Sequence, residues 1–127
     1  KNVVLFFNEG LMCYPACLNQ VAELGEDSRF NNEQVVAFSI VADSQESWKK
    51  AQKELPYLAG AKVIFDEDGE ISRLYDVLRL PSVMHYGRYP GHTYFIIDKE
   101  GVIRYTLDDP NMGIRNGELF AELQKLK

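Results

Sequence analysis

The residues able to do chemistry cluster near the amino terminus, where Cys13 and Cys17 stand four positions apart with Pro15 between them. They are the only cysteines in the chain. In cysteine chemistry the nucleophile and metal ligand is the thiolate, which forms readily where the thiol pKa falls below its free value near ~8.5. A helix amino terminus favours that anion through its unpaired N–H groups and the positive end of its dipole. Cysteine also fills small gaps in cores, but two of them one helical turn apart at a strand-to-helix junction point to redox or metal chemistry. In a regular helix, side chains at i and i+4 sit roughly 5–6 Å apart, whereas a disulfide needs its Cβ atoms at about 4 Å. Cys13 is therefore expected at or before the helix start, with Pro15 in the first turn, where its missing N–H costs nothing.

Two more residue types belong to this argument. Glu9, four positions before Cys13, is the candidate for moving protons; the competing reading is an exposed loop carboxylate. The histidines are His85 and His92. His92 reads as a metal ligand, as a proton donor or acceptor near Cys13, or as a hydrogen-bonded strand-end residue. His85 reads as a loop or core residue.

The elements that must position these groups follow from periodicity. The apolar run Val3-Val4-Leu5-Phe6-Phe7 predicts a buried strand, and apolar residues at helical spacing predict a helix over 16–24. A second strand is expected over 34–42, then a helix capped by Asp43 or Ser44 and running to Glu54, closed by Pro56. A short strand over 61–65 leads into the acidic turn Asp66-Glu67-Asp68-Gly69, read as solvated because the calcium-loop ligand pattern is absent. A helix over 70–78 should turn Ile71, Leu74, Tyr75 and Leu78 inward. Residues 80–91 read as a loop with a short extended piece over 82–86. Strands over 92–97 and 102–107, joined by Asp98-Lys99-Glu100-Gly101, form a hairpin, and a last helix covers 116–126. The order β-α-β-α-β-α-β-β-α predicts an α/β fold with a mixed sheet of about five strands and helices on both faces.

Bulk properties narrow the options. A chain of 127 residues suits one domain, 1–127, with a sizeable core. Its 46% hydrophobic and 26% charged content is that of an ordinary globular protein. A formal net charge of −5, from 19 acidic and 14 basic residues, argues against nucleic acid or an anionic membrane as partner. There is no apolar run of membrane-spanning length and no visible signal peptide. Lys1 stands directly before a core strand without an initiator methionine, so the amino terminus is expected to be incomplete. The compartment stays open, the cytoplasm being favoured over an extracytoplasmic site.

That order, with a cysteine pair after the first strand, resembles the thioredoxin-like fold, and more closely its AhpC/TSA redoxin branch, which includes peroxiredoxins, TlpA-like reductases and Sco proteins. Three stretches carry the likeness beyond the cysteines: Ser39-Ile40-Val41-Ala42-Asp43-Ser44, Phe65-Asp66-Glu67-Asp68-Gly69 with its following tyrosine helix, and the hairpin from Thr93 to Arg104. The amino-terminal hairpin usual in the branch would precede Lys1. Peroxiredoxins keep a threonine or serine three residues before the peroxidatic cysteine; Gly10 and Tyr14 hold that slot here. Where they keep an arginine before the last hairpin, this chain has His92, leaving Arg79, Arg88 and Arg104 as stand-ins.

The resemblance implies a thiol/disulfide oxidoreductase with Cys13 as the exposed attacker and Cys17 as the buried resolving partner, no cofactor, and His92 and Glu9 in supporting roles. A thioredoxin-like dithiol is the implied reductant, the substrate is a disulfide or a hydroperoxide, and a homodimer is compatible. A peroxiredoxin-like thiol peroxidase is one alternative. A Sco-like Cu(I)-binding module is the other, drawing on Cys13, Cys17 and His92 with Met12 as a further donor.

Overall fold

The computed structural model describes residues 1–126. Five strands, β1 (Asn2–Phe7), β2 (Val35–Val41), β3 (Val63–Phe65), β4 (Thr93–Ile97) and β5 (Ile103–Asp108), form one sheet in the order β3-β2-β1-β4-β5. Strands β1, β2 and β3 run parallel to one another, and β4 pairs antiparallel with both β1 and β5. Strand β1 is apolar on both faces because it is the central strand. Val4 and Phe6 enter one core layer and Leu5 and Phe7 the other.

Four helices cover the sheet: α1 (Ala16–Glu26), α2 (Gln45–Glu54), α3 (Glu70–Leu74) and α4 (Asn116–Gln124). On one face Leu18, Val21 and Leu24 of α1, Trp48 of α2 and Leu119 and Leu123 of α4 pack with Val4, Phe6, Val41, Tyr94 and Ile96. The opposite face is thinner, with Ile71, Tyr75 and Val77 against Leu5, Phe7, Ile40 and Phe95. Each large apolar side chain buried this way contributes roughly 1.5–3 kcal/mol. The mixed five-stranded sheet with helices on both faces is therefore as the residue pattern predicts. Ser44 caps α2 by accepting the Ser47 N–H at 3.1 Å. No helix among the described residues is long and apolar enough to cross a membrane.

Three local expectations fail, each for a visible reason. Helix α3 stops at Leu74 instead of continuing to residue 78, because Asp76 takes a left-handed φ of 56° that turns the chain. Leu74 is consequently 80% exposed, and Val77 takes the inward place. The acidic turn is not wholly solvated. Asp66 is buried and accepts the Ile71 N–H, the Ser72 N–H and the Ser72 hydroxyl at 2.9, 2.9 and 2.7 Å, so it serves as the cap of α3. Residues 82–86 form no strand. The segment closes on itself through Val83 N–H to Leu80 O and Gly87 N–H to Leu78 O.

Candidate active site

The site begins where β1 runs out. Asn8 accepts the Gly10 N–H on its side-chain oxygen at 2.8 Å and donates its own N–H to Ile40 O of β2. Gly10 has φ 70°, and a Cβ there would lie 1.9 Å from Oδ2 of Asp43, so only glycine fits. The same Asp43 oxygen accepts the Leu11 N–H at 2.9 Å. The chain then makes one tight turn, with Cys13 N–H donating to Gly10 O at 3.0 Å and Cys17 N–H to Cys13 O at 2.9 Å. Pro15 follows a cis bond from Tyr14 and occupies the N-cap of α1, one residue earlier than the first-turn position expected. Cys13 thus precedes the helix, and Cys17 stands in its first turn.

From the strand beside β1, the loop before β4 brings His92 onto the same face as α1. Its Nε2 lies 3.1 Å from Cys17 Sγ. The sulfurs of Cys13 and Cys17 and a ring nitrogen of His92 all lie within 4.8 Å of one another. The histidine is fully buried, edge-on to Phe6 at 4.9 Å, and its main-chain N–H donates to Ser82 Oγ at 2.8 Å. Ser82 is held in turn by Asp108, which accepts its N–H at 3.0 Å, its hydroxyl at 2.5 Å and the Thr93 hydroxyl at 2.9 Å. His92 is thus a hydrogen-bonded residue at the start of β4 whose ring contacts the Cys17 sulfur, and its place beside both sulfurs fits the proton-transfer and the metal-ligand readings alike.

The two thiols are unequal. Both are buried, which corrects the expectation of an exposed Cys13: 7% of its surface reaches solvent and none of the Cys17 surface does, because the turn before α1 folds the Cys13 thiol in against the loop that carries His92. The Cys17 S–H, shared toward Cys13, pulls the Cys13 thiol well below the ordinary cysteine range, and His92 adds to this against the opposing effect of burial. Cys17 is pushed the other way by the same shared hydrogen bond, by burial and by the Cys13 charge. One negative charge on the pair is thus favoured, and it sits on the outer sulfur.

Glu9 overturns the exposed-loop reading, since only 1% of its surface reaches solvent. Burial raises its pKa from 4.5, while His85 and His92 pull it down and Cys13 pushes it further up. Its Oε2 lies 2.8 Å from Nδ1 of His85, whereas Oε1 is buried with no partner. Sequence reasoning missed His85 as a partner because 76 positions separate the two residues and nothing in their spacing links them. The arginine stand-ins have other partners. Arg104 binds Asp98 at 2.6 Å beyond the far end of β4, and Arg79 and Arg88 lie over the rings of Tyr86 and Tyr89. Tyr94 is core, stacked on Phe6 with its hydroxyl donating to Gln20 at 2.9 Å. Met12 is exposed.

The fold is shared by several solved structures. AhpC of Enterococcus faecalis superimposes with a TM-score of 0.79 at 22% identity over 98% of this chain and 74% of that one. The mitochondrial 2-Cys peroxiredoxin of Plasmodium falciparum gives 0.77 at 24% identity, over 99% and 75%. A yeast mitochondrial 1-Cys peroxiredoxin, whose thiol is described as resolved via glutathione/thioredoxin systems, gives 0.80 at 19%, over 99% and 63%. No curated protein matches the chain. The AhpC/TSA family profile matches residues 1–106, most of the 127-residue chain and the whole of the cysteine–histidine site. The chain belongs to the AhpC/TSA family of redoxin oxidoreductases.

Proposed function

We propose that the protein is a two-cysteine thiol oxidoreductase in which Cys13 attacks and Cys17 resolves. The supporting observation is the asymmetry of the pair: the outer sulfur is the one whose thiolate is favoured, and the inner one keeps its proton. The Cys13 thiolate attacks a disulfide R–S–S–R′, forming Cys13–S–S–R and releasing R′S⁻. Cys17 then gives up its proton and attacks the Cys13 sulfur, releasing RS⁻, which is protonated to the thiol, and closing an intramolecular disulfide. A thioredoxin-type dithiol returns the pair to the reduced form by the reverse exchange.

Family membership and the peroxiredoxin neighbours favour hydroperoxide as a second substrate class. There the Cys13 thiolate takes the terminal oxygen of ROOH to give a sulfenic acid and, with one proton, ROH. Cys17 condenses with the sulfenic acid and water leaves. The arginines are engaged elsewhere, so His92 and Glu9 are the polar groups at hand. Disulfide exchange needs no polarising cation and is the first reading.

The test mixes the reduced protein separately with a small disulfide and with hydrogen peroxide, using thioredoxin as donor, and follows turnover and the mass of the products. Cys13→Ser should abolish turnover, and Cys17→Ser should trap Cys13 as a mixed disulfide. Full activity in Cys13→Ser would reverse the assignment. Tight Cu(I) binding that needs both cysteines, with negligible turnover, would overturn it in favour of the metal alternative.

A further inference from the structure

We infer that His92 is the proton carrier of the closing step, taking the Cys17 proton as the disulfide forms and handing it to the departing sulfur of the substrate. The substrate class this favours is the ordinary aliphatic disulfide, whose high-pKa thiolate is a poor leaving group without a proton. The inference rests on the two-cysteine reading and adds to it the route of the proton. Closing the disulfide requires Cys17 to lose a proton, yet Cys17 has no exposed surface through which water could take it. The group that stands there is the His92 ring, with Nε2 3.1 Å from Cys17 Sγ. A ring nitrogen of His92 also lies within 4.8 Å of Cys13 Sγ, the atom from which the substrate sulfur departs. One imidazole therefore reaches both the sulfur that loses a proton and the bond whose leaving group needs one.

The ring is held in place but its proton is not. It is fully buried, edge-on to Phe6 at 4.9 Å and to Tyr94 at 6.5 Å, and its main-chain N–H donates to Ser82 Oγ at 2.8 Å. Among the described residues its Nδ1 has no partner. A ligand histidine ordinarily gives its second N–H to an acceptor that fixes the tautomer. Here no such group pins the ring proton to one nitrogen, as suits a proton carrier. In the reduced pair the Cys17 S–H is shared toward the Cys13 thiolate. Once Cys13 has formed a mixed disulfide that charge is gone, and Nε2 takes its place as the acceptor. The buried Glu9 carboxylate acts on the ring and favours the transient imidazolium. The step balances without water. The bond from Cys13 Sγ to the substrate sulfur breaks, the Cys13–Cys17 bond forms, and Cys13–S–S–R with Cys17–SH become the closed disulfide and RSH. His92 accepts one proton at Nε2, returns it to the leaving sulfur and ends neutral.

The experiment follows single turnovers of the reduced full chain at neutral pH with 4,4′-dithiodipyridine and with 2-hydroxyethyl 4-pyridyl disulfide. Both lose a chromophoric thiopyridone when Cys13 attacks. At closure the first releases a second thiopyridone, a good leaving group, and the other releases an aliphatic thiol. Absorbance follows the attack, and acid-quenched mass spectra follow closure. His92→Gln keeps a polar group but carries no proton. It should leave the attack within about threefold, because Cys13 stays ionised at that pH. It should slow closure about a hundredfold with the aliphatic leaving group, a typical loss for a removed acid–base group, and about tenfold less than that with the aromatic one. A merely structural defect would slow both alike. In wild type, deuterated solvent should slow aliphatic closure more than attack, a measurement that stands even if the variant does not fold. Unchanged closure in His92→Gln, equal slowing with both reagents, or no isotope effect on aliphatic closure overturns the proton carrier. Closure that persists in Cys17→Ser, or attack that persists in Cys13→Ser, overturns the two-cysteine reading instead.

Discussion

His92 Nε2 and Cys17 Sγ lie 3.1 Å apart although 75 positions separate them in the chain. The contact ties the loop before β4 to the first turn of α1, across the central strand. It also places an imidazole where it acts on both sulfurs, since His92 helps to lower the Cys13 thiol.

Removing either support should make Cys13 a weaker acid. In His92→Phe the pH midpoint for alkylation of Cys13 by iodoacetamide should rise by about one unit, equivalent to roughly 1.4 kcal/mol. In Cys17→Ala the rise should be larger, because the Cys17 hydrogen bond is the leading cause of the shift. The sign follows from the lowered pKa: the thiolate persists above it, and reactivity disappears only as the pH falls through it. Peptide mapping of alkylated protein across pH checks both. A midpoint near the free-cysteine value in the wild type would remove the premise.

Glu9 is a cost to the fold at neutral pH. Its folded-state pKa is raised above 4.5 by burial, so the native state binds the proton more tightly than the unfolded chain does. Stability is therefore greatest below the unfolded value and falls as pH rises through the folded one. Glu9→Gln, which can still accept from His85, should raise the neutral-pH melting temperature by about 2–5 °C. The gain should vanish below about pH 4.5, where wild-type Glu9 is itself neutral. Thermal melts of both proteins at the two pH values decide it.

The turn before Cys13 depends on a residue without a side chain. Gly10→Ala would impose a left-handed backbone on a residue with a Cβ and drive that Cβ into Asp43 Oδ2. A loss of about 2 kcal/mol or more is expected in urea unfolding. Asp43→Ala alone should cost about 0.5–1.5 kcal/mol for the Leu11 hydrogen bond. In the Asp43→Ala background Gly10→Ala should cost less than it does in wild type, because the two residues contest the same space.

Ser82 and Asp108 hold His92 from behind. Ser82→Ala removes the acceptor of the His92 N–H and a donor to Asp108, leaving buried groups unpaired at about 1–3 kcal/mol. The same change should slow the Cys13–Cys17 closure step more than the first attack. Equal slowing of both would mean that Ser82 serves the fold alone.

Much of this protein was legible in its residues. The unbroken apolar run of β1, the serine cap and proline stop of α2 and the Asp98–Gly101 turn are local signals, and each element formed where its signal stands. The pairing of Cys13 with Cys17 is local too, because one turn of chain joins them. What tertiary structure alone decided is what lies opposite that turn. Whether Glu9 is buried depends on a loop more than seventy residues away, which supplies His85. The exposure of Leu74 depends on a single left-handed residue at Asp76 that no hydrophobic period encodes. The burial of Asp66 depends on α3 folding back onto its carboxylate. Spacing along a chain reports contacts within a turn or a strand. The proton environment of the two sulfurs comes from β1, α1 and the loop before β4 meeting at one end of the sheet, and only packing brings those together.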